Sequence, residues 1–514
     1  MALENRVDAE APYIVGVDLG TSACKTVIFT LDGRRVASAS KEYPIIQPQP
    51  RWAEQNPLEW WKAAVETIGE SLRRGGVKDD EIVGLAVDSQ REAVVPIGRN
   101  GEVLYNGIIW LDRRTEPQTE RMRSRLDQQK VLYTTGVGIN SVFSASKILW
   151  LKENFPRVFS KTEVFLCAKD FIIYKLTGEK VTDYSMASRT MLFDIRRKTW
   201  SGEICSALDI PLDKLPRSLE SSIIVGEVSS KASGETSLPR GLPVVNGGGD
   251  RPCECLGAGV IHEGVVNVGT GTGSTFEAPL NEPHPDLKGR INCCCHVIPD
   301  TWEYEASIST TGGALRWFKD VFGEKETAEA ERTGGDPYDI LLKTASETNP
   351  GADGLLFYPY LAGAFPPRAD GRARAVFFGI SLSHSKGHFV RAILEGVAFH
   401  YLVMLELLEE LGLDIAEISM VGGEAKSDFW NQLKADVTGK RIRVPEVEDA
   451  AAMGAALLAG IGTGQYLSVQ KAVESTMRTR KVYMPNPVKH STYLDLYRKY
   501  EALYALISKG YDTY

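Results

Sequence analysis

The sequence lacks any apolar run long enough to span a membrane, although 43% of its 514 residues are hydrophobic. Charged residues make up 25%, a balance typical of a globular protein. A chain of this length exceeds one ordinary core, so we expect two large domains. We place the boundary near Gly257, between an N-terminal domain of residues 1–257 and a C-terminal domain of residues 258–514.

Positive charge is not in excess, because 59 lysines and arginines face 67 acidic residues and the formal net charge is -8. This balance argues against nucleic-acid and membrane-surface partners. The first twelve residues include Glu4, Asp8 and Glu10 and have no apolar core, so they do not resemble a secretory signal. We therefore expect a cytoplasmic protein. The sequence does not determine the oligomeric state, and a homodimer is one of the states it allows.

Cysteine is scarce, and eight cysteines in this length exclude a disulfide scaffold. Cys253 and Cys255 are close in sequence, and residues 293–295 are three consecutive cysteines followed by His296. A metal site can be drawn from these residues. However, neither group has the Cys-x-x-Cys spacing typical of structural zinc. We expect them to lie on strands as small buried groups and to hold no metal.

A hairpin pattern occurs twice. Residues 13–18 and 25–30 read as strands joined by a turn of small residues, which is not the strand-to-helix entry of a Walker loop. Residues 265–276 repeat strand, turn and strand, and two copies about half a chain apart indicate a duplicated unit. Each half continues with alternating strands and helices, which predicts an α/β fold.

Four segments predict helices. Residues 57–74 follow Asn56 as a cap and begin with Pro57. Apolar residues near a 3.6 period predict a long amphipathic helix over residues 390–408. We also expect helices over residues 449–459, where alanines and Gly454 permit close packing, and over residues 493–507.

The first hairpin has the groups of a phosphate site. Its backbone amides and the hydroxyls of Thr21 and Ser22 can hold phosphate oxygens, and Lys25 adds a positive charge. Asp18, at a strand end, can reach a hydrated magnesium ion. An ordinary hairpin with a structural aspartate would explain this copy alone. The second copy, Gly269-Thr270-Gly271, favours a phosphate clamp formed by two hairpins.

Three consecutive glycines precede a single acid, Asp250. A carboxylate with little side-chain bulk around it can orient an alcohol and accept its proton during phosphoryl transfer. The alternative is a glycine turn with a capping aspartate. Because the segment lies close to the second hairpin in sequence, we favour Asp250 as a catalytic base and, with Asp18, as a magnesium ligand.

Two further segments have polar or glycine-rich patterns. Gly422 and Gly423 follow a short strand and precede Ser427, and glycines opening a helix can lie against adenine and ribose. A tight structural turn is the alternative. Gln90-Arg91-Glu92, followed by Trp110 and Asp112, can donate to and accept from the hydroxyls of a polyol. Surface ion pairing explains that spacing equally well.

In combination, these segments resemble the FGGY family of carbohydrate kinases, from about Tyr13 to Ile507. The residues that carry the resemblance are Asp18-Leu-Gly-Thr-Ser, Trp52-Ala-Glu-Gln, the Gly249-Asp250 loop, Gly269-Thr270-Gly271, Gly422-Gly423-Glu-Ala-Lys-Ser427, and a closing helix with Tyr493, Tyr497 and Tyr500.

The resemblance implies two actin-like, ribonuclease-H-like domains that close on ATP-magnesium and a sugar in the cleft between them, with Asp250 as catalytic base. The implied nucleotide positions are Thr21, Ser22, Lys25, Gly269, Thr270, Gly312, Arg316, Gly423 and Ser427. The implied sugar positions are Gln90, Arg91, Glu92, Trp110, Asp112 and Arg251.

Two branches of the family are mixed in this sequence. The triplet 90–92 and residues 110–114 resemble glycerol kinase, but Val142 replaces a glycerol-contacting tyrosine and Arg251 replaces a glutamine. Cys295-His296 and residues 315–318 and 394–399 resemble xylulose kinase. That branch usually has Met-His at residues 91–92 and Gly-Glu-Arg-Thr-Pro at 363–367. The expected substrate is a ketopentose such as xylulose, with glycerol as the alternative.

Two other function classes compete with a kinase. A non-catalytic, actin-like sensor of sugar or nucleotide would share the fold, but it would not need the carboxylate of Asp250. A hydrolase using Asp250 and Glu92 as a carboxylate pair would leave the two Gly-Thr hairpins without a role. The sequence therefore favours the kinase.

Overall fold

Strands and helices alternate along the chain in the computed structural model, which describes residues 11–511. Residues 1–10, which carry most of the segment that argued against a secretory signal, lie outside the described part. The strands are β1 (Tyr13–Leu19), β2 (Ala23–Thr30), β3 (Arg35–Glu42), β4 (Glu54–Gln55), β5 (Ile82–Ser89), β6 (Val95–Gly98), β7 (Gly107–Ile108), β8 (Thr162–Leu166), β9 (Val181–Asp183), β10 (Phe193–Asp194), β11 (Thr199–Trp200), β12 (Arg217–Leu219), β13 (Ile224–Glu227), β14 (Pro243–Gly249), β15 (Val265–Thr270), β16 (Ser274–Leu280), β17 (Asn292–Cys295), β18 (Trp302–Ile308), β19 (Leu356–Tyr358), β20 (Val376–Phe378), β21 (Glu417–Gly422), β22 (Arg441–Pro445) and β23 (Thr479–Tyr483).

The α-helices range from one turn to seven turns. They are α1 (Pro57–Gly75), α2 (Glu116–Arg125), α3 (Gln128–Thr135), α4 (Ser144–Asn154), α5 (Pro156–Lys161), α6 (Ala168–Thr177), α7 (Tyr184–Ser188), α8 (Gly202–Ala207), α9 (Ser230–Thr236), α10 (Asp250–Gly257), α11 (Gly312–Phe322), α12 (Glu324–Thr333), α13 (Pro337–Ser346), α14 (Lys386–Glu410), α15 (Asp428–Thr438), α16 (Ala450–Gly462), α17 (Val469–Thr476) and α18 (Pro487–Gly510). None of the helices within residues 11–511 combines the length and the apolar character that crossing a bilayer requires.

The four predicted helices are present. α1 begins where its capping signals place it, because the Asn56 side chain accepts a hydrogen bond from the Leu58 amide at 3.0 Å. α14 covers the predicted residues 390–408, but the expectation that it is amphipathic is wrong. Residues between the periodic positions, such as Ala392 and Phe399, are buried as well, so this part of the helix is enclosed on all sides.

The chain folds into two compact units. One comprises the chain up to Ile261 with Pro279–Glu303 and Asp449–Met477. The other comprises His262–Ala278, Tyr304–Glu448 and the residues from Arg478 onward. The predicted boundary at residue 257 therefore does not coincide with the division into these units, because α16 and α17, which follow it in the chain, belong to the first unit. α16 packs closely against β1 and α10, and glycines permit this. A Cβ on Gly16 of β1 would lie 2.0 Å from the Ala452 carbonyl oxygen, and one on Gly454 of α16 would lie 1.9 Å from the Cys253 carbonyl oxygen.

The first unit is built on a mixed sheet with strand order β13-β14-β5-β1-β2-β3. β1 pairs antiparallel with β2 and parallel with β5, and β5 pairs parallel with β14. Successive residues of a strand point to opposite faces. Accordingly, Gly16 of β1 faces α16, whereas Val15 and Val17 belong to the apolar core that includes Trp60 of α1. Helices thus cover both faces of this sheet.

The second unit repeats this arrangement. Its sheet contains the strand order β18-β16-β15-β21-β22-β23. β15 pairs antiparallel with β16 and parallel with β21, and β21 pairs parallel with β22. The hairpin followed by two parallel strands matches β1, β2, β5 and β14, so the predicted duplication is confirmed at the level of topology.

Candidate functional site

Two aspartates end adjacent parallel strands of the first unit. Asp18 of β1 and Asp88 of β5 are partners in the strand register. Burial raises the pKa of Asp18 to about 7, with further increases from the charges of Asp250, Asp449 and Glu254, while a hydrogen bond with Asp88 acts in the opposite direction. Burial also raises the pKa of Asp88 well above its usual value. The sequence analysis missed Asp88, although it ends an apolar strand just as Asp18 does.

The glycine segment that precedes Asp250 places this residue near Asp18 and Asp88. The glycines lie within β14, and Gly248 pairs with Asp88 in the register. Gly247 has a φ of 68°, and a Cβ there would lie 1.9 Å from the Val87 carbonyl oxygen. Only glycine fits so close to β5. The strand therefore passes directly into α10, whose first residue is Asp250.

The carboxylate of Asp250 is 28% exposed, so a ligand can reach it. Its Oδ1 accepts from the Arg251 amide at 2.9 Å and lies 3.4 Å from the Arg91 Nε. A Cβ on Gly249 would lie 2.4 Å from the Arg91 Cδ, so this glycine makes room for the arginine. The Arg251 guanidinium is 3.4 Å from the Glu254 carboxylate and remains partly exposed.

Lys25 of the first hairpin forms an ion pair with Asp449, which directly precedes α16. Arg35 lies 3.6 Å from the same carboxylate. Ser22 is exposed at the hairpin turn, and the Thr21 hydroxyl accepts from the Trp110 indole at 2.9 Å. The structure thus brings a predicted nucleotide residue, Thr21, next to a predicted sugar residue, Trp110.

Arg91 and Glu92 follow β5 and turn in different directions. Arg91 points to Asp250, whereas the Glu92 carboxylate accepts from the Arg189 Nε at 2.5 Å. Glu92 has a φ of 63°, a left-handed conformation that is uncommon outside glycine. Its carbonyl accepts a hydrogen bond from Lys147 at 2.7 Å. Sequence reasoning missed Arg189 and Lys147, which lie 97 and 55 residues away.

Two more of the predicted sugar-binding residues, Gln90 and Asp112, contact the Trp52-Ala-Glu-Gln segment. The Gln55 side chain accepts from Gln90 at 2.7 Å and donates to the Thr21 carbonyl at 2.7 Å. Asp112 is fully buried; its oxygens accept from the Ala53 amide and from the main chain and side chain of Arg114. Asp112 therefore orients Arg114 in this structure, and its contact with a sugar stays a prediction.

The second unit contains a cavity of about 290 Å³. Five of its lining residues are predicted nucleotide positions, namely Gly271, Gly312, Arg316, Gly423 and Ser427. Apolar and aromatic walls that the sequence analysis missed are provided by Leu315, Tyr338, Leu342 and Trp430. Flat apolar walls with a few polar groups suit a small-molecule ligand such as a nucleoside.

The glycines around this cavity permit close backbone contacts. A Cβ on Gly312 would lie 2.5 Å from the Gly271 carbonyl oxygen, and one on Gly422 would lie 2.1 Å from that of Thr270. The Thr270 hydroxyl donates to the Val421 carbonyl at 2.6 Å and accepts from the Glu424 amide at 3.1 Å, which ties the end of β21 and the turn after it to β15. Gly269 lies within β15, next to Thr270. Ser427 caps α15, because its hydroxyl accepts from the Trp430 amide at 3.2 Å.

The expectation that all clustered cysteines lie on strands is wrong for Cys253 and Cys255, which lie on α10. Pro252 in the first turn favours that helix. Cys255 approaches His296 and Glu303, and the possible ligand atoms of the three residues lie within 4.8 Å of one another. However, the His296 Nδ1 accepts from the Ile298 amide at 3.2 Å. The neutral ring therefore carries its proton on Nε2, which does not suit a metal ligand at that atom.

Comparison with known proteins gives a consistent result for both halves. The model of the FGGY family of carbohydrate kinases, N-terminal domain, matches residues 13–257, and the model of the C-terminal domain matches residues 266–463. The xylulose kinase of Bacillus subtilis (strain 168) is 34% identical over 489 residues, covering 95% of this chain and 96% of the relative.

Relatives with other substrate names are almost as similar. The glycerol kinase of Thermococcus gammatolerans is 33% identical over 479 residues, covering 92% of this chain and 93% of the relative. The crystal structure of gluconate kinase from Lactobacillus acidophilus has a TM-score of 0.90 at 26% identity, covering 98% of this chain and all of that one. Two matching family domains and full-length relatives above 30% identity show that the chain belongs to the FGGY family of carbohydrate kinases.

Proposed function

We propose that this FGGY sugar kinase transfers the γ-phosphoryl group of ATP to a hydroxyl of a ketopentose such as xylulose, with Asp250 as the catalytic base. The observation that carries the proposal is the accessible carboxylate of Asp250, placed beside Arg91 and among further carboxylates at the strand ends of the first unit. The cavity of the second unit supports a nucleotide site, because it is lined by five of the expected nucleotide residues.

In the proposed reaction Asp250 accepts the proton of the attacking hydroxyl. The hydroxyl oxygen forms a bond to the γ-phosphorus, and the bond between that phosphorus and the bridging oxygen of ADP breaks. Arg91 lies close enough to orient the Asp250 carboxylate. Glu92, held by Arg189, is the proposed acceptor for sugar hydroxyls.

The residues of the acidic cluster fit a hard cation. Neither buried oxygen of Asp88 has a hydrogen-bond donor among the described residues other than the Asp18 carboxyl group, and the buried Oδ2 of Asp449 lies 3.6 Å from Arg35 without forming a hydrogen bond. Carboxylate oxygens are the ligands that magnesium takes, often through water. We propose that Asp18 and Asp250 hold Mg²⁺, which would neutralise charge on the transferred phosphoryl group, and that Asp88 supports Asp18.

The substrate assignment depends on two residues that differ from the glycerol branch. Val142, where the glycerol branch has a tyrosine, leaves space, and Arg251 offers an additional donor for a carbonyl or hydroxyl of a longer sugar. A site built to hydrogen-bond such groups penalises a shorter analogue that lacks them. The triplet Gln90-Arg91-Glu92 favours glycerol, so glycerol is the second candidate, and the similarity to a gluconate kinase makes gluconate a third compound to test.

A substrate panel tests the proposal. ATP-dependent ADP release is measured with xylulose, glycerol and gluconate, and kcat/KM is compared. We expect the highest value for xylulose, and Asp250→Asn provides the inactive control. In Arg251→Gln, kcat/KM should fall for xylulose and remain unchanged for glycerol. A higher kcat/KM for glycerol in the wild type would overturn the substrate assignment, and no activity with any compound would overturn the proposed activity.

A further inference from the structure

Lys147 is a buried cation with an unusual set of partners. It lies on α4, its side chain is fully buried, and its ammonium group donates to the carbonyl oxygens of Glu92 and Val142, each at 2.7 Å. No carboxylate of the described residues lies within ion-pair distance of this nitrogen. Burial lowers the pKa of Lys147 to about 7, although the more distant charges of Glu92 and Asp112 act in the opposite direction.

Such an arrangement is costly for the folded protein. A buried ammonium group that lacks an ionic partner is less favourable than an apolar side chain of similar volume. Glu92 also has a left-handed backbone, which adds conformational strain for a residue with a side chain. One hydrogen bond joins the buried Lys147 and the strained Glu92. This combination indicates that Lys147 holds Glu92 in position and does not serve to stabilise the fold.

The two carbonyls that Lys147 joins belong to segments implicated in sugar recognition. Glu92 directs its carboxylate to Arg189, and Val142 occupies the position where the glycerol branch has a substrate-contacting tyrosine. The intervening residues 93–141 contain β6, β7, α2 and α3, so local sequence does not fix the separation of Glu92 and Val142. Lys147 does fix it, because its side-chain nitrogen donates to both carbonyls through short hydrogen bonds of 2.7 Å.

We propose that Lys147 is a positioning residue for sugar binding, which holds the main chain of Glu92 against that of Val142 and thereby aims the Glu92 carboxylate. This proposal rests on the proposed function, because it assumes that Glu92 contacts the sugar. Lys147 itself is too deeply buried to reach a ligand, so it acts only through its two partners.

The test replaces Lys147 with methionine, which keeps most of the side-chain volume, and with glutamine, which keeps an N–H donor. Ser146→Ala is the matched control. Ser146 is also fully buried on α4, and its hydroxyl bonds the Thr115 hydroxyl at 2.8 Å and the carbonyls of Phe143 at 3.0 Å and Ser141 at 3.4 Å, but it has no hydrogen bond to Glu92 or Val142. The KM values for xylulose and ATP and the melting temperature are measured for each protein.

In Lys147→Met we expect the KM for xylulose to rise about 10- to 100-fold, the effect of losing hydrogen bonds to a charged group. The KM for ATP should stay within about twofold of the wild type. Lys147→Gln should lie between the two, and Ser146→Ala should change the melting temperature only.

A normal xylulose KM in an active Lys147→Met variant would overturn the positioning role and leave the proposed function intact. Loss of folded protein in both Lys147 variants, with Ser146→Ala still folded, would also overturn it, because the role would then be structural. A wild-type protein inactive on every sugar would overturn the proposed function and this inference together.

Discussion

The raised pKa of Asp18 predicts that the magnesium requirement depends on pH. With a pKa of about 7, Asp18 is about 90% ionised at pH 8 and about 10% ionised at pH 6. Magnesium binds the ionised carboxylate, so it must displace a proton at the lower pH. The half-saturating magnesium concentration should therefore rise about tenfold between pH 8 and pH 6.

The assay is a magnesium titration of kinase activity at saturating sugar, performed with wild type and Asp18→Asn. Magnesium binding by ATP also changes with pH, but this change is common to both proteins and cancels in their ratio. Asp18→Asn should need about tenfold more magnesium at pH 8 and lose the additional pH dependence. Asp213→Asn, at a surface position, is the matched control. A ratio that is constant from pH 6 to pH 8 would refute the assignment of Asp18.

The same shift predicts a stability effect of defined sign. The pKa of Asp18 in the folded protein lies above the value of 3.8 for a free aspartate. The folded state therefore binds more protons between these two values, and its stability falls as pH rises through this window. Without metal, the melting temperature of the wild type should fall more between pH 5 and pH 8 than that of Asp18→Asn. A larger fall in the variant would contradict this account.

Three further substitutions test the site. Asp250→Asn should lower kcat by a factor of about 10² to 10⁴, with ATP binding unchanged by calorimetry. Gly249→Ala places a Cβ 2.4 Å from the Arg91 Cδ. We expect kcat to fall and the free energy of unfolding, measured with urea, to decrease by about 1–3 kcal/mol. The control Gly234→Ala, which has open space around the new Cβ, should not lower the free energy of unfolding. Tyr338→Ala should raise the KM for ATP about 2- to 10-fold and leave the KM for sugar unchanged.

Local signals in the sequence predicted the elements that depend on neighbouring residues. The alternation of strand residues and the glycine turns located both hairpins, and Asn56 with Pro57 located the start of α1. The glycines before Asp250 predicted an accessible acid for the same reason. Where a neighbouring atom lies 1.9 Å from the position of a Cβ, only glycine fits, so the sequence shows that a close contact is made. The sequence does not show which strand or helix makes that contact.

Features that depend on distant residues were not predicted. Asp449 is 424 residues from Lys25 and forms an ion pair with it. The segment from Asp449 to Met477 joins the first unit because its glycines and alanines fit against β1 and α10, and composition alone does not show which sheet a small-residue helix will cover. The error for Cys253 and Cys255 has a similar origin, because a helix of eight residues directly after a strand is too short for its periodicity to be distinguished from that of a strand.

Burial, followed by the charges of neighbouring carboxylates, distinguishes Asp18 and Asp88 from the aspartates on the surface. Among the described residues, cations lie at the edges of the cluster, where Lys25 and Arg35 lie beside Asp449 and Arg91 lies beside Asp250. The strand ends between them bring two carboxylates together in a buried place, and the raised pKa values of both are the physical result. A fold selected for stability alone would replace one of them with a neutral side chain. Because a bound cation would offset the repulsion between these carboxylates and lower both pKa values, their arrangement agrees with the magnesium site proposed for the kinase.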